Sequence, residues 1–439
     1  MLVFALAPVL LGSQLSKAYS PLIFASYGVL GFSLFSRGEG KLIYLSPNSL
    51  IFFYVVVSMF LGSIALNAGA VLVKRNFIEY GSHVYTHFAI SFLMVGLISL
   101  PLTEIKNSVR YAAVTSNTSI SSSRYFCLLI FLVMCLGLNI DFSVLGGSGS
   151  LNRTVFILLS VATFAYAKNF KSRSRYLVYF ACFLIMALMS SHNKRDAIFL
   201  VSVIVLCEAT RGTKIKYIRA ALLSLVACLI SLVTIIAMSI NRGYGGYISD
   251  QGLLVALSYI PDYLSSEFFW AAFFQNIEVS YFYFHYVNAI EIILRGSEDL
   301  SFGATLIKPL FLFLPRDLAP WKPTSIIELY TVAYDPDFRT IGGSWPPNFA
   351  AEFFWNFHLL GLIMFPVIAI FFAWLYRKTL DVFRTKKLIL QSFLLFIYQN
   401  SVTYARGSGV DQLVFDCLVV GGLAVGGALL HAILTRAIR

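Results

Sequence analysis

Charged residues are scarce in this chain. They make up 12% of its 439 residues, against about 25% in soluble proteins. Hydrophobic residues make up 58%, and the mean hydropathy is +0.79. So few charges cannot solvate the surfaces of soluble domains of this length. The composition therefore excludes soluble enzymes and DNA-binding proteins, and it predicts a membrane protein that crosses the bilayer several times.

Acidic residues are the scarcer charge type, with 21 Asp and Glu against 33 Lys and Arg and a net charge of +12. The basic residues occur in short runs between apolar stretches, which is a pattern that sets membrane topology, so no nucleic-acid partner is expected. The six cysteines include no CxxC pair and lie within or at the ends of apolar stretches. We therefore expect neither a disulfide framework nor a zinc site.

Long apolar runs cover most of the chain. A helix needs about 20 apolar residues to cross the hydrocarbon core, and fewer when polar flanks add turns at the interface. The N-terminus has no basic segment of the kind that opens a signal peptide, so its first apolar run is expected to stay in the membrane. We predict an all-α integral membrane protein with about 12 spans, at Leu2–Leu11, Leu22–Phe35, Leu50–Val73, Val84–Leu100, Tyr125–Ile140, Thr154–Ala167, Tyr176–Met189, Ala197–Ala209, Ala220–Ile240, Phe349–Tyr376, Leu388–Tyr398 and Leu413–Leu434.

Basic loops predict the orientation. Lys and Arg cluster at 168–175, 211–219, 377–387 and 436–439, and the positive-inside rule places these clusters in the cytoplasm. With an even number of spans, both termini are cytoplasmic. The predicted organisation is nine helices over residues 1–240, a large periplasmic loop over 241–348, and three helices over 349–439.

The predicted periplasmic loop is too long to be a simple connector. It holds eleven of the 21 acidic residues, so function is expected there. Within it, Phe268–Leu294 is apolar but is interrupted by polar residues such as His285, Asn288 and Glu291. We predict an interfacial helix, buried on one face at the outer leaflet. The loop tryptophans are expected either to stack on sugars or to form an interfacial belt.

Lys194 and Arg195 precede a predicted span in a short outer loop. Cations at the start of a helix, aided by the helix dipole, suit a phosphate or pyrophosphate. The alternative is interfacial anchoring by snorkelling side chains. The spans themselves carry almost no ionisable residues, which disfavours ion-coupled transport.

Three motifs follow one another late in the chain, and a fourth precedes the last span. They are LPRDLAPWKP at 314–323, RTIGGSWPPN at 339–348, AEFFWNFHLLG at 351–361 and RGS at 406–408. Their residues and order resemble Wzy-type O-antigen and oligosaccharide repeat-unit polymerases. The motifs cover the later half of the chain, and the span count and large outer loop extend the resemblance to the whole of it.

The resemblance implies a membrane glycosyltransferase of the GT-C type in a Gram-negative inner membrane. Such an enzyme joins oligosaccharide repeat units carried on undecaprenyl pyrophosphate at the periplasmic face, during lipopolysaccharide biosynthesis. Expected partners are the lipid-linked oligosaccharide, membrane lipid and a chain-length regulator protein. Two rival functions remain: an O-antigen ligase, which transfers glycan to lipid A-core, and a flippase or transporter of the lipid-linked glycan.

Glycosyl transfer from a diphosphate requires stabilisation of the leaving group and removal of the acceptor proton. Cations supply the first through charge-assisted hydrogen bonds, and a carboxylate supplies the second. Glu352 is our candidate base, with the alternative that it only favours a helix N-terminus. The Asp335-Pro336-Asp337 spacing is a weak metal signal, and we expect no metal or other cofactor. The candidate diphosphate-binding residues are Lys194, Arg195, Arg242, Arg316, Lys322, Arg339 and Arg406.

The predicted orientation can be tested with a reporter that is active only in the periplasm. Fusions after Gly296 or Trp345 should be active, because both positions lie in the predicted outer loop. Fusions after Lys214 or Lys386 should be silent, because basic loops are retained in the cytoplasm. An active fusion at Lys214 would invert the orientation and move the predicted site to the cytoplasm.

Overall fold

The fold was analysed in a computed structural model of the chain. It describes residues 1–38, 42–68, 83–107, 150–167, 175–181, 194–210, 253–266, 279–311, 317–383 and 388–437, with single positions between 222 and 240 and at 269, 273, 274 and 314. Within these residues the structure is all-helical and contains no β-strand. The predicted all-α class is confirmed to that extent.

Sixteen α-helices have defined bounds in the described residues. They are α1 Leu2–Phe35, α2 Pro47–Asn67, α3 Thr86–Leu97, α4 Ser99–Asn107, α5 Ser150–Ala167, α6 Lys194–Ala209, α7 Leu253–Ser258, α8 Ile260–Ser265, α9 Val279–Leu294, α10 Ala304–Ile307, α11 Ile326–Tyr334, α12 Pro336–Thr340, α13 Phe349–Phe357, α14 Met364–Val382, α15 Leu388–Thr403 and α16 Gly409–Ala437. Short 3₁₀ turns at Ile43–Leu45, Lys308–Phe311 and His358–Ile363 connect several of them.

Among the described residues, four helical stretches are long and apolar enough to cross a membrane: Leu2–Phe35, Pro47–Asn67, Thr86–Lys106 and Phe349–Val382. The first stretch, α1, is kinked at Gly12, whose φ of 72° and ψ of 176° are not helical. The kink follows the predicted span Leu2–Leu11 directly, and the predicted span Leu22–Phe35 lies within the helical part after it. The predicted span Tyr125–Ile140 lies outside the described residues. The count of about 12 spans and the orientation stay predictions.

The chain divides into two compact units. The first comprises Met1–Val109, Val233–Ala373 and Ser401–Leu413, and the second comprises Arg110–Leu232, Trp374–Asn400 and Val414–Arg439. Residues 279–348 of the predicted periplasmic loop thus fall in the same unit as α1 to α4.

Helices α1, α2, α3 and α9 form the core of the first unit. Tyr27 of α1 stacks on Phe52 of α2, with ring centroids 5.6 Å apart. Where α2 meets α9, a Cβ on Gly62 would lie 2.3 Å from the carbonyl oxygen of Val279. Only glycine permits this approach, because any side chain would force the two backbones apart.

Helix α9 is a core helix. All its residues are buried except Tyr281, Ile292 and Leu294. The prediction of an interfacial helix buried on one face is therefore wrong for this segment. The polar residues that suggested a wet face form interior hydrogen bonds, as when Asn288 donates to the Tyr330 hydroxyl at 3.0 Å. Polar groups can be buried in this way because their hydrogen bonds are satisfied.

The Glu291 carboxylate of α9 binds the two residues that lead into α3, a contact that we call the Glu291 cap. Its two carboxylate oxygens accept hydrogen bonds from the backbone N–H groups of Val84 (3.0 Å) and Tyr85 (2.9 Å), and Arg295 forms an ion pair with it at 2.8 Å. Beside them, His83 Nε2 lies 3.2 Å from Asn288 Oδ1. Burial lowers the pKa of His83 to about 4, so this imidazole is neutral at pH 7.

The second unit contains a buried ion pair that the sequence suggested only as part of a basic loop. Arg175 is buried, and its Nη2 donates to Glu208 Oε2 at 3.0 Å. The Tyr179 hydroxyl donates to the other oxygen of that carboxylate at 3.2 Å. The Arg175 guanidinium also lies over the Tyr176 ring, 4.7 Å from its centroid. These contacts join residues 175–181 to the last turn of α6.

Replacing Glu291 by alanine should destabilise the first unit. The backbone N–H groups of Val84 and Tyr85, just before α3, would lose their acceptor, and each lost hydrogen bond costs about 0.5–1.5 kcal/mol. The midpoint of thermal unfolding in detergent, followed by intrinsic fluorescence, should fall by several degrees. Glu298→Ala, in the exposed turn after α9, is the control and should leave the midpoint unchanged. Equal midpoints for the two variants would show that the Glu291 cap contributes nothing.

Candidate functional site

Glu352 lies in the first turn of α13 and is buried, with 1% of its surface exposed. The helix begins here because the Asn348 side chain caps it, accepting a hydrogen bond from the Ala351 N–H at 2.9 Å. Since Asn348 already fills the capping role, the Glu352 carboxylate is directed elsewhere. Its Oε1 accepts a hydrogen bond from the Thr305 hydroxyl at 3.0 Å.

Asn356 completes this arrangement one turn further along α13. Positions four residues apart share a helix face, and Asn356 Nδ2 donates both to Thr305 Oγ1 and to the Glu352 carbonyl oxygen, each at 2.8 Å. Thr305 therefore accepts from Asn356 while it donates to Glu352. This polarised pair of hydrogen bonds fixes the orientation of the carboxylate.

The second carboxylate oxygen of Glu352 has spare acceptor capacity. Oε2 is buried and accepts no hydrogen bond of standard geometry, although the backbone N–H of Val410 forms a weak hydrogen bond to this carboxylate. A buried carboxylate oxygen is costly unless it gains a proton or a donor. Glu352 can therefore accept a proton from a group that reaches this oxygen.

An ion pair lies next to this carboxylate. Lys308 Nζ is 2.5 Å from Asp411 Oδ2, and both side chains are largely buried. Both also lie within electrostatic range of Glu352. Lys308 balances the charge of Asp411 beside the candidate base.

Arg406 is a predicted cation whose backbone turn packs against the residues that lead into α13. It lies in the π-helical turn Tyr404–Ser408. The next residue, Gly407, has a φ of +124°, and a Cβ there would lie 2.0 Å from the Pro347 carbonyl oxygen. This contact presses the turn against the residues that lead into α13. Arg406 also lies within electrostatic range of the Tyr54 hydroxyl on α2.

Two other predicted cations form contacts of their own. Arg339 Nη2 is paired with Glu328 Oε1 at 3.0 Å, and Lys322 Nζ donates to the Leu314 carbonyl oxygen at 3.1 Å. Both stay candidate diphosphate-binding residues, but these contacts hold them within the 314–339 segment.

The remaining predicted cations have no described side chains. Lys194 and Arg195 are the first two residues of α6, in the second unit, so they do stand at a helix N-terminus. Arg242 and Arg316 lie outside the described residues.

The Asp335-Pro336-Asp337 motif has a structural role. Asp335 caps α12 by accepting from the Phe338 N–H at 3.1 Å, and its other oxygen accepts from Trp345 Nε1 at 3.1 Å. Among the described residues, no three His, Cys, Asp or Glu side chains are grouped closely enough to hold a metal ion.

Trp345 and Trp321 have different surroundings. The Trp345 ring packs against His285 and Phe338, with centroids 4.7 Å away in each case. The His285 ring in turn bonds through Nδ1 to the Tyr330 hydroxyl at 2.7 Å. Trp321, by contrast, is exposed. Trp345 therefore belongs to an internal aromatic cluster, and Trp321 is the one of this pair that is open to a ligand or to lipid.

Four residues of this site were not among the predicted ones: Thr305, Lys308, Asn356 and Asp411. Asn356 could have been found, because it follows Glu352 at helical spacing within the motif AEFFWNFHLLG. Lys308 is a single cation in an apolar stretch, and Asp411 closely follows the RGS motif. Nothing in the sequence pairs them, since 103 positions separate the two along the chain.

Gly407→Ala should weaken the contact that holds the turn against α13. A β-carbon would meet the Pro347 carbonyl oxygen in a backbone conformation that alanine rarely adopts, at a cost of about 1–3 kcal/mol. The thermal unfolding midpoint should drop by several degrees in differential scanning fluorimetry. Gly422→Ala is the control, because a Cβ there meets no atom within 4 Å. An unchanged midpoint for Gly407→Ala would contradict the close approach.

Comparison with known proteins adds no relative. Searches of protein-family models, of curated proteins and of solved structures find no match to this chain.

Proposed function

We propose that the chain is a membrane-embedded glycosyltransferase that polymerises oligosaccharide repeat units carried on undecaprenyl pyrophosphate. The observation that carries the proposal is the Glu352 carboxylate, oriented by Thr305 and Asn356 beside the turn that bears Arg406. The order of the late motifs supports it independently. The proposed setting is the periplasmic face of a bacterial inner membrane, with membrane lipid and a chain-length regulator as partners.

In the proposed reaction, Glu352 Oε2 accepts the proton of the acceptor hydroxyl. The acceptor oxygen forms a bond to the anomeric carbon of the donor sugar, and the bond from that carbon to the diphosphate oxygen breaks. Undecaprenyl diphosphate leaves with the electron pair, and Arg406 stabilises its charge through a bidentate contact. Lys308 stays paired with Asp411 and limits the negative charge around the base.

Access to Glu352 requires a local movement, because Thr305 and its neighbours cover the carboxylate in this state. The covering segment begins with two residues at positive φ, Phe302 at 46° and Gly303 at 86°. Non-glycine residues rarely adopt such angles, and strained positions are common where a segment moves. We propose that residues 304–307 move as a unit from this point when the acceptor binds, while Lys308 keeps its ion pair with Asp411.

The rival functions make different demands on the same residues. A ligase would use Glu352 and Arg406 in the same roles but would transfer the glycan to lipid A-core. Only the acceptor molecule therefore distinguishes a ligase from a polymerase. An ion-coupled transporter needs charged groups along a path near mid-membrane.

Glu352→Gln should abolish chain extension in a purified assay with lipid-linked repeat units. The amide preserves size and can still accept from Thr305, but it cannot take up the acceptor proton. Loss of one general base should lower the rate about 100- to 10,000-fold. Protein yield and binding of the lipid-linked substrate should be nearly unchanged.

Glu298→Gln, at an exposed position, serves as the control and should polymerise normally. Added EDTA should leave the wild-type rate unchanged. Normal polymerisation by Glu352→Gln would place the base elsewhere, with Asp317 and Asp196 next to test. If EDTA stops the reaction and Mg²⁺ or Mn²⁺ restores it, the metal-free mechanism is wrong.

A further inference from the structure

A group of large apolar side chains is exposed on the segment that covers Glu352. We call residues 302–311, 314 and 317–321 the apolar loop. Leu310 and Leu318 are 79% and 76% exposed. The other exposed apolar side chains of this loop are Phe302, Ile307, Leu314 and Trp321. Six such side chains on one short segment form a patch that would be unfavourable in water.

The apolar loop has a closed shape. The Phe311 and Trp321 rings meet edge to face, with centroids 5.1 Å apart. Two hydrogen bonds from Lys322 stabilise the end of the loop. Its Nζ donates to the Leu314 carbonyl oxygen, and its backbone N–H donates to the Ala319 carbonyl oxygen at 3.0 Å. The exposed apolar side chains therefore belong to a defined structure.

Inward contacts determine which side chains of the loop face outward. Thr305 bonds to Glu352, and Lys308 pairs with Asp411. Ile307 lies between these two residues in the chain, and Leu310 follows them. Both side chains are exposed. The apolar surface is thus a fixed consequence of the polar contacts at the candidate site.

The apolar loop is continuous with the exposed face of a candidate membrane span. The Ser301 N–H donates to the Trp355 carbonyl oxygen at 3.1 Å, and Gly303 lies against the Phe357 ring. These contacts join the loop to the end of α13. Directly after α13, the exposed apolar residues Leu359, Leu360 and Ile363 begin the outer face of the Phe349–Val382 stretch.

We propose that the apolar loop inserts into the interfacial region of the bilayer, with its exposed side chains against lipid acyl chains. Lipid is the partner because the loop continues the exposed face of the Phe349–Val382 stretch. Lipid that covers this face would also cover the loop. Asp317 and Lys322 flank Leu318 and would remain at headgroup level, which keeps the insertion shallow. The loop thus takes the interfacial role that sequence analysis assigned to α9. The insertion does not depend on glycosyl transfer.

The test places an environment-sensitive fluorescent amino acid at position 318 of the full chain, reconstituted in phosphatidylcholine vesicles. The matched control carries it at Ser297, in the exposed turn after α9. Lipids bearing a nitroxide near the headgroup should quench the label at 318 roughly threefold more than the label at 297, and iodide in the buffer should show the reverse order. A label at 310 repeats the measurement if the 318 variant does not elute as folded protein.

Two outcomes would overturn the proposal. If iodide quenches the label at 318 as strongly as the label at 297, the apolar loop lies in water. If the label is protected from both iodide and lipid nitroxides, another protein surface, such as a second copy of the chain, covers the loop. Neither outcome bears on whether Glu352 acts as a base, so the two proposals can fail separately.

Discussion

The hydrogen bonds that Thr305 shares with Glu352 and Asn356 connect two parts of the chain that lie 47 residues or more apart. A carboxyl group in an apolar interior is stable only when polar partners replace the water it has lost. Thr305 is such a partner, and its hydrogen bonds hold α10 against α13. The Lys308–Asp411 ion pair and the contact of Gly407 with Pro347 then bring the start of α16 to the same place.

Glu291 and Glu352 are both buried carboxylates in the first unit, but their hydrogen bonds differ. This difference explains why Glu291 is structural and Glu352 is the candidate base. Glu291 accepts from two backbone N–H groups and pairs with Arg295, so both of its oxygens are engaged. Glu352 has one oxygen oriented by Thr305 and another with no standard hydrogen bond. A saturated carboxylate stabilises a helix end, whereas one with spare acceptor capacity can take up a proton during a reaction.

The helical class and the choice of Glu352 both depend on local signals. The class is confirmed in the described residues, whereas the role of Glu352 as base stays a prediction. Low charge and long apolar runs indicate membrane helices, and Glu352 lies within a recognisable motif. The prediction for α9 was wrong, because polar residues such as Asn288 form hydrogen bonds that no local pattern reveals. The predicted division of the first apolar stretch coincides with the kink of α1 at Gly12, across which the Ser16 hydroxyl donates to the Pro8 carbonyl oxygen.

Lipopolysaccharide from a strain in which the gene is deleted provides the most direct measurement of the central claim, that the chain joins lipid-linked repeat units. Loss of a polymerase leaves the ligation of single units intact. On gels, the account predicts a core that carries one repeat unit and no longer ladder. A bare core would contradict it and indicate a ligase or a flippase, and an unchanged ladder would exclude a role in polymerisation.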